Sequence, residues 1–334
     1  MSISDIQKSL KTIKKRAEKV DDGKLKETFV NADPLLSVVS TNDSQIVFGR
    51  RSTGKTHLLK YIGDIHKENG GCQIYIDLRT VGSNGSIYND QNLSKSERAT
   101  PLLLDVLQNI HDSILDEIIS SEEFDLSIIG PILDRFADSC SKVEVVGQVE
   151  SFSEGNIIEK TEDSASLEIN ASKSDFGLKS GLSSKDNTES SEKTSFKRSG
   201  TEKYYVKFGD VQRTLSKIID NFNGKKLLVL LDEWSEIPLD IQPYLADLIR
   251  RCILPIRNIT VKIAAIEHRS NLSINKELGE YIGLELGADI GGDVSLDDFM
   301  VFDNDASRSV EFFSDLLFKH YIASKTTESH VDSS

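Results

Sequence analysis

Cysteine is scarce: Cys72, Cys140 and Cys252 are the only three in 334 residues, far apart and without a CxxC pair. That spacing indicates neither a zinc ribbon nor a disulfide framework, and it fits reducing, cytoplasmic surroundings. Long apolar runs are missing as well. None approaches the ~18 residues of a membrane span, and the N-terminus, MSISDIQKSLKTIKKRAEKV, is charged where a signal peptide is apolar. Neither a secreted nor an integral membrane protein is expected. Positive charge is in deficit, with 40 Lys and Arg against 54 Asp and Glu and a net charge of −14, so most of the surface repels phosphate backbones. Any DNA contact must then be local. Apolar residues reach 38%, below the roughly 45–50% of an ordinary globular domain, so part of the chain is expected to be solvated rather than packed.

What remains is organised as alternating strands and helices. Residues 4–21 read as a basic amphipathic helix, with Ile6, Leu10, Ile13 and Ala17 on a narrow stripe among Lys8, Lys11, Lys14, Lys15, Arg16 and Lys19. A charge run of this kind is either a solvated face or a phosphate or partner contact. Gln45–Phe48 reads as a short strand ending at Gly49, and Leu58, Leu59, Ile62 and Ile65 then follow at helical spacing. Cys72–Leu78 reads as a second strand, followed by a polar loop over 79–98 too long for a plain connector. Thr100 and Pro101 suggest the N-cap and first position of a helix whose stripe runs from Leu103 to Ile119.

Between about 141 and 203 the composition shifts to Ser, Glu, Lys, Asp and Gly, too poor in large apolar residues for a core of its own. It reads as a disordered insertion or, from the alternation in 143–149 and 166–169, as a protruding β-hairpin. A helix is expected from Phe208 to Ile219, and Leu227–Leu231 is an unbroken apolar run typical of a strand covered on both faces. Residues 241–254 follow helical spacing, Val261–Ile266 reads as a fourth strand, and a weak fifth lies in 282–286 or 293–296. A last helix spans about 306–321, followed by a polar tail. Such alternation predicts an α/β fold, a parallel sheet flanked by helices.

Two motifs carry chemistry. Gly49-Arg50-Arg51-Ser52-Thr53-Gly54-Lys55-Thr56 satisfies GxxxxGK[ST] between a strand and a helix, the context a P-loop requires. Backbone N–H groups and the helix start would cradle phosphates there. Lys55 would reach the β- and γ-phosphates, and the Thr56 hydroxyl would ligate Mg²⁺. The second motif is the apolar run that ends in Asp232 and Glu233, at the strand end where open α/β sheets bind ligands. Asp232 would hold Mg²⁺ through water and Glu233 would polarise the attacking water, which favours hydrolysis. The fourth strand ends in Glu267, His268, Arg269, Ser270 and Asn271. His268, and after it Glu267, could orient the lytic water or sense the γ-phosphate, or simply end the strand. Arg250, Arg251, Arg257 and Arg269 are arginine-finger candidates or ordinary surface arginines. Trp234 reads as a packing residue.

The order of GRRSTGKT, LLVLLDEW and VKIAAIEH resembles the AAA+ branch of P-loop ATPases, in particular the bacterial ATPases similar to ORC/CDC6. The segments YIDLRTVGSNGSIYND, DEWSEIPLDIQPYLADLIRR and MVFDNDASRSVEFF are also similar to that group. The resemblance implies ATP and Mg²⁺ as cofactors and an ATPase core over 33–140 and 204–300. The other segments are then a basic N-terminal stretch over 1–32, the insertion over 141–203, and a partial helical lid with its tail over 301–334. It also implies Arg308 as a nucleotide-sensing lid arginine, and a molecular switch that assembles as a homo-oligomer or controls a protein partner. ORC/CDC6 proteins carry a DNA-binding winged helix after the lid, whereas only a short polar tail follows Tyr321. A DNA-associated replication or defence ATPase and a nucleotide-gated scaffold with little turnover are the alternatives.

Overall fold

The computed structural model describes residues 22–31, 34–81, 92–121, 123–140, 206–275, 281–291, 293–300 and 306–331, the short strands of the 143–204 region, and Gln7 and Lys11. Both isolated residues are helical and exposed; the rest of the expected basic helix lies outside the described residues. The chain starts with α1 (Asp22–Thr28) and α2 (Leu35–Val39). It continues through β1 (Gln45–Phe48), α3 (Lys55–Glu68), β2 (Cys72–Asp77), α4 (Lys95–Ser120) and α5 (Leu126–Cys140). A ribbon of β3 (Val143–Val146), β4 (Val149–Phe152), β5 (Ser195–Arg198) and β6 (Thr201–Tyr204) comes next. The remainder is α6 (Phe208–Asp220), β7 (Leu227–Asp232), α7 (Gln242–Leu248), β8 (Ile259–Ala265), β9 (Ser273–Asn275), β10 (Tyr281–Gly283), β11 (Asp293–Ser295), α8 (Leu296–Met300) and α9 (Ala306–Val331).

Five strands form one sheet in the order β11-β1-β8-β7-β2, every pair parallel. This confirms an α/β protein with a parallel sheet flanked by helices. Every residue of β1, β7 and β8 is buried, as strands with helices on both faces must be. Alternate residues serve opposite faces. Ile46, Val229, Leu231, Val261 and Ile263 pack with α4, α5, α6 and α7, while Val47, Leu228, Leu230 and Ala264 pack with Leu58, Leu59 and Ile62 of α3 and with α2.

Several expectations are corrected. α4 begins at Lys95, not near Thr100, because Ser94 and Glu97 form a capping box: the Glu97 N–H donates to Ser94 Oγ and the Ser94 N–H to Glu97 Oε2. Pro101 then lies inside the helix, where it forgoes one N–H bond. α5 was not anticipated, because Gly130 and Pro131 interrupt its pattern, yet Ile129, Leu133 and Phe136 are buried. The fifth strand is β11, beside β1; the alternative segment forms β10, antiparallel to β9. α9 runs on to Val331, through most of the expected polar tail. In the insertion, β3 pairs with β6 and β4 with β5 in one shared antiparallel register, from Val143 opposite Tyr204 to Phe152 opposite Ser195. These flanks pair with each other, while residues 153–194, including the alternation at 166–169, lie outside the described residues. Among the described residues, no helix is long and apolar enough to cross a membrane.

Candidate functional site

The strand order decides which chain ends meet. β8 lies between β1 and β7, so the Gly49–Thr56 loop, the turn after β8 and the Asp232–Glu233 pair open on one edge of the sheet. Two bonds extend the ladder past the strands there, from the Gly49 N–H to Ala265 O (3.2 Å) and from the Leu78 N–H to Asp232 O (3.1 Å).

The loop is shaped by its own residues. A Cβ at Gly49 would stand 2.6 Å from Thr53 Oγ1 and 3.2 Å from Leu296 Cβ, so a side chain there would have to displace the Thr53 hydroxyl from its bond to Arg50 O. Ser52 (φ 67°) and Gly54 (φ 91°) are both left-handed, and a Cβ on Gly54 would project into open space. Alternating left- and right-handed residues turn successive N–H groups into a concavity that suits an anion. Lys55 opens α3, is 9% exposed, and donates to Gly49 O at 2.9 Å and Arg50 O at 2.8 Å. Burial lowers its pKa, opposed by the charges of Glu233, Asp232 and Asp297. Thr56 follows it in the same first turn, half-buried.

Asp232 ends β7 and is 1% exposed. Its Oδ1 accepts the Glu233 backbone N–H and its Oδ2 the Tyr75 hydroxyl, each at 2.8 Å. Glu233 is held at φ 57°, a conformation that costs a non-glycine residue on the order of 1 kcal/mol and is typical of functional turns. Burial raises its pKa, the neighbouring Asp232 raises it further, and Arg79 opposes both from 4.0 Å. Arg79 is itself bound to Asp77, which stands opposite Asp232 in the β2–β7 register. Burial pushes the Asp77 carboxyl up, but the Arg79 side-chain and backbone bonds outweigh it and leave Asp77 below the usual carboxylate range.

Carboxylates also hold the two loop arginines. Arg51 Nη2 donates to Glu236 Oε1 at 2.9 Å; the Arg50 N–H donates to Asp297 Oδ2 at 3.1 Å, and Arg50 Nε lies 3.3 Å from Asp297 Oδ1. Gln242, fully buried, joins the turn after β7 to the turn after β8. It donates to Ile237 O (2.9 Å) and Arg269 O (3.1 Å) and accepts from Trp234 Nε1 (3.1 Å) and the Asn271 N–H (2.6 Å). The Ile266 N–H adds a bond to Ser235 Oγ at 2.8 Å.

The residues expected from the loop motif and the acidic pair are thus gathered on one edge. Glu267, His268 and Arg269 form an exposed turn at that edge, between the loop and the acids in strand order. Trp234 is a packing residue, 0% exposed. Arg250 and Arg251 both pair with Asp247, Arg257 is exposed, and Arg308 is exposed in the first turn of α9. Tyr75, Asp77, Arg79, Glu236, Gln242 and Asp297 were missed. Tyr75 and Asp77 had a signal, the alternation of CQIYID that sets them on one face of β2; Arg79 and Glu236 are polar residues in turns and Gln242 and Asp297 polar residues in the first turns of α7 and α8, with nothing local to single them out. Among the described residues, no group of three or more His, Cys, Asp or Glu could hold a metal ion by themselves. The three cysteines are buried, and burial pushes their thiols up to about 11 for Cys72 and about 12 for Cys140 and Cys252, so they are inert packing groups. No family model, curated protein or solved structure matches this chain.

Proposed function

We propose that this chain is a P-loop ATPase of the AAA+ type, similar to the ORC/CDC6-like bacterial group, that binds ATP with Mg²⁺ and hydrolyses it as a molecular switch. The observation that carries this reading is the convergence on one sheet edge of a left-handed glycine loop with a buried lysine and a buried aspartate followed by a strained glutamate. The donor set fits a magnesium nucleotide: N–H groups and a lysine for phosphate, and the Thr56 hydroxyl with one carboxylate for a cation that keeps most of its waters. That composition also explains why no all-protein metal cage is needed. When bound, Mg²⁺ would offset charge on the phosphate oxygens.

The chain's own groups divide the work. Lys55, now donating to Gly49 O and Arg50 O, has a short reach to phosphate oxygens in the loop, and its burial strengthens that attraction. Glu233, with its raised pKa, is a better proton acceptor than an ordinary glutamate once ionised, as a base for water requires. The Gln242 and Ser235 bonds fix the turn after β8, with His268, relative to Glu233. Turnover should be Mg²⁺-dependent and fall about 100-fold or more in Glu233→Gln with ATP binding retained. Absent Mg-dependent ATP binding in the purified protein rejects the reading.

One observation favours a slower variant of it, the nucleotide-gated scaffold: Arg79 lies 4.0 Å from Glu233 and holds its carboxylate away from full basicity. Tight ATP binding with nearly unchanged ATP after long incubation, restored to turnover by Arg79→Ala, would select that version.

A further inference from the structure

Asp77 and Asp232 end adjacent strands directly opposite one another, yet the fold treats their charges differently. Asp77 is held by a cation: Arg79 Nη2 lies 2.5 Å from its Oδ2 and Arg79 Nε 2.9 Å from its Oδ1. Asp232 is held by neutral donors only, the Glu233 N–H on Oδ1 and the Tyr75 hydroxyl on Oδ2. One carboxylate is therefore bound directly by a cation, while the other has its plane fixed by two neutral donors. Each Asp232 oxygen uses one acceptor position on these bonds, which leaves the second for a ligand.

Tyr75 is built for this task. It lies on β2 opposite Leu230, two residues before Asp77, so its ring extends along the sheet to reach Asp232, the next residue of that face on β7. The ring packs against the apolar layer that includes Leu58, Leu59, Leu228 and Leu230, and Lys60 of α3 has its Nζ 5.4 Å from the ring centroid. A phenol so held can present its O–H in few directions.

We infer that Tyr75 is a positioning residue that orients Asp232 toward a divalent cation bound with the nucleotide. This rests on the ATPase reading above. Loss of an outer-sphere partner of a metal-holding group typically lowers metal affinity 10–100-fold. The same is expected here, without any direct contact between Tyr75 and nucleotide.

The test is a titration of the full chain with a fluorescent ATP analogue, at rising Mg²⁺ and with none, for wild type, Tyr75→Phe and Asp232→Asn. Tyr75→Phe should raise the Mg²⁺ concentration for half-maximal enhancement of analogue binding about 10-fold while leaving metal-free affinity unchanged. Asp232→Asn should shift that midpoint at least as far. A midpoint that stays at the wild-type value in Tyr75→Phe but moves in Asp232→Asn overturns the positioning role. So does a fall in metal-free affinity together with the melting temperature at an unmoved midpoint, the result of a purely structural tyrosine. If Asp232→Asn also leaves the midpoint unmoved, the magnesium-nucleotide reading itself is wrong.

Discussion

The two ends of the central sheet each bury a lysine, and they handle it in opposite ways. At the carboxyl edge, Lys55 opens α3 beside a loop with left-handed Ser52 and Gly54, a left-handed Glu233 and a set of carboxylates. Toward the amino edge, Lys262 on β8 is 1% exposed and donates to Asp43 O (2.8 Å) and Gln45 Oε1 (2.5 Å). Neighbouring groups are tied off as well: Thr260 Oγ1 donates to Asn42 O at 2.9 Å, and the Val261 N–H to Ser44 Oγ at 3.0 Å. Burial lowers the pKa of both lysines, so a perturbed lysine alone does not mark a site. What separates them is the surroundings. Left-handed residues occur at both ends, Asn223 and Asn258 before β7 and β8 as well as Ser52 and Glu233, but at the amino end the buried polar side chains have their partners, while at the carboxyl end they stand beside the glycine loop and a set of carboxylates.

The contrast is broken most strongly at the carboxyl edge. Glu233→Gln should reduce ATP turnover by a factor of roughly 10²–10⁴, measured as phosphate release, while Lys262→Met should leave turnover within a few-fold of wild type. Equal losses in both variants would mean that the two ends are not functionally distinct.

The next effect belongs to the amino edge and to pH. The Lys262 ammonium is pulled from 10.5 down to about 8 by burial. Between those values the unfolded chain holds the proton more firmly than the folded one, so this residue makes stability rise with pH across that window. Its full penalty stands below about pH 8 and is on the order of 3 kcal/mol. Denaturant unfolding at pH 7 and pH 10 should accordingly show a smaller gain for Lys262→Met than for wild type. A difference of the opposite sign would contradict the burial account.

Smaller effects sharpen the same line. Glu233→Gly should relieve the left-handed backbone and stabilise the protein by about 1 kcal/mol while abolishing turnover, a trade of activity for stability. An unchanged or lowered melting temperature would remove strain from the argument. Thr260→Val, at the amino end, should lose one hydrogen bond and about 0.5–1.5 kcal/mol, with nucleotide affinity untouched. Altered affinity in that variant would show that the ends communicate.

Much of this was legible in advance, because it is written in contiguous residues. The QIVF strand, the glycine loop and the helix after it follow one another without a gap, and LLVLLDE states both a doubly covered strand and the acids at its end. Errors arose where a local signal competed with another. Thr100–Pro101 is an acceptable helix start, but the Ser94–Glu97 box closes earlier and the proline is tolerated within α4. Gly130 and Pro131 masked α5, whose existence depends on burying Ile129, Leu133 and Phe136 against its neighbours.

The sequence by itself determined the alternation of strands and helices, the loop that Gly49 and Gly54 permit, and the acidic pair at the end of β7, since each depends on backbone preferences and periodicity within a short window. Only the tertiary structure decided that β8 lies between the loop strand and the acid strand, that Tyr75 orients Asp232, that Arg79 cancels Asp77, and that Lys262 is buried and satisfied while Lys55 faces the open edge. Those pairings join residues as far apart as Arg50 and Asp297. They are set by strand order and burial, which emerge from the packing of the whole chain, where no local pattern can announce them.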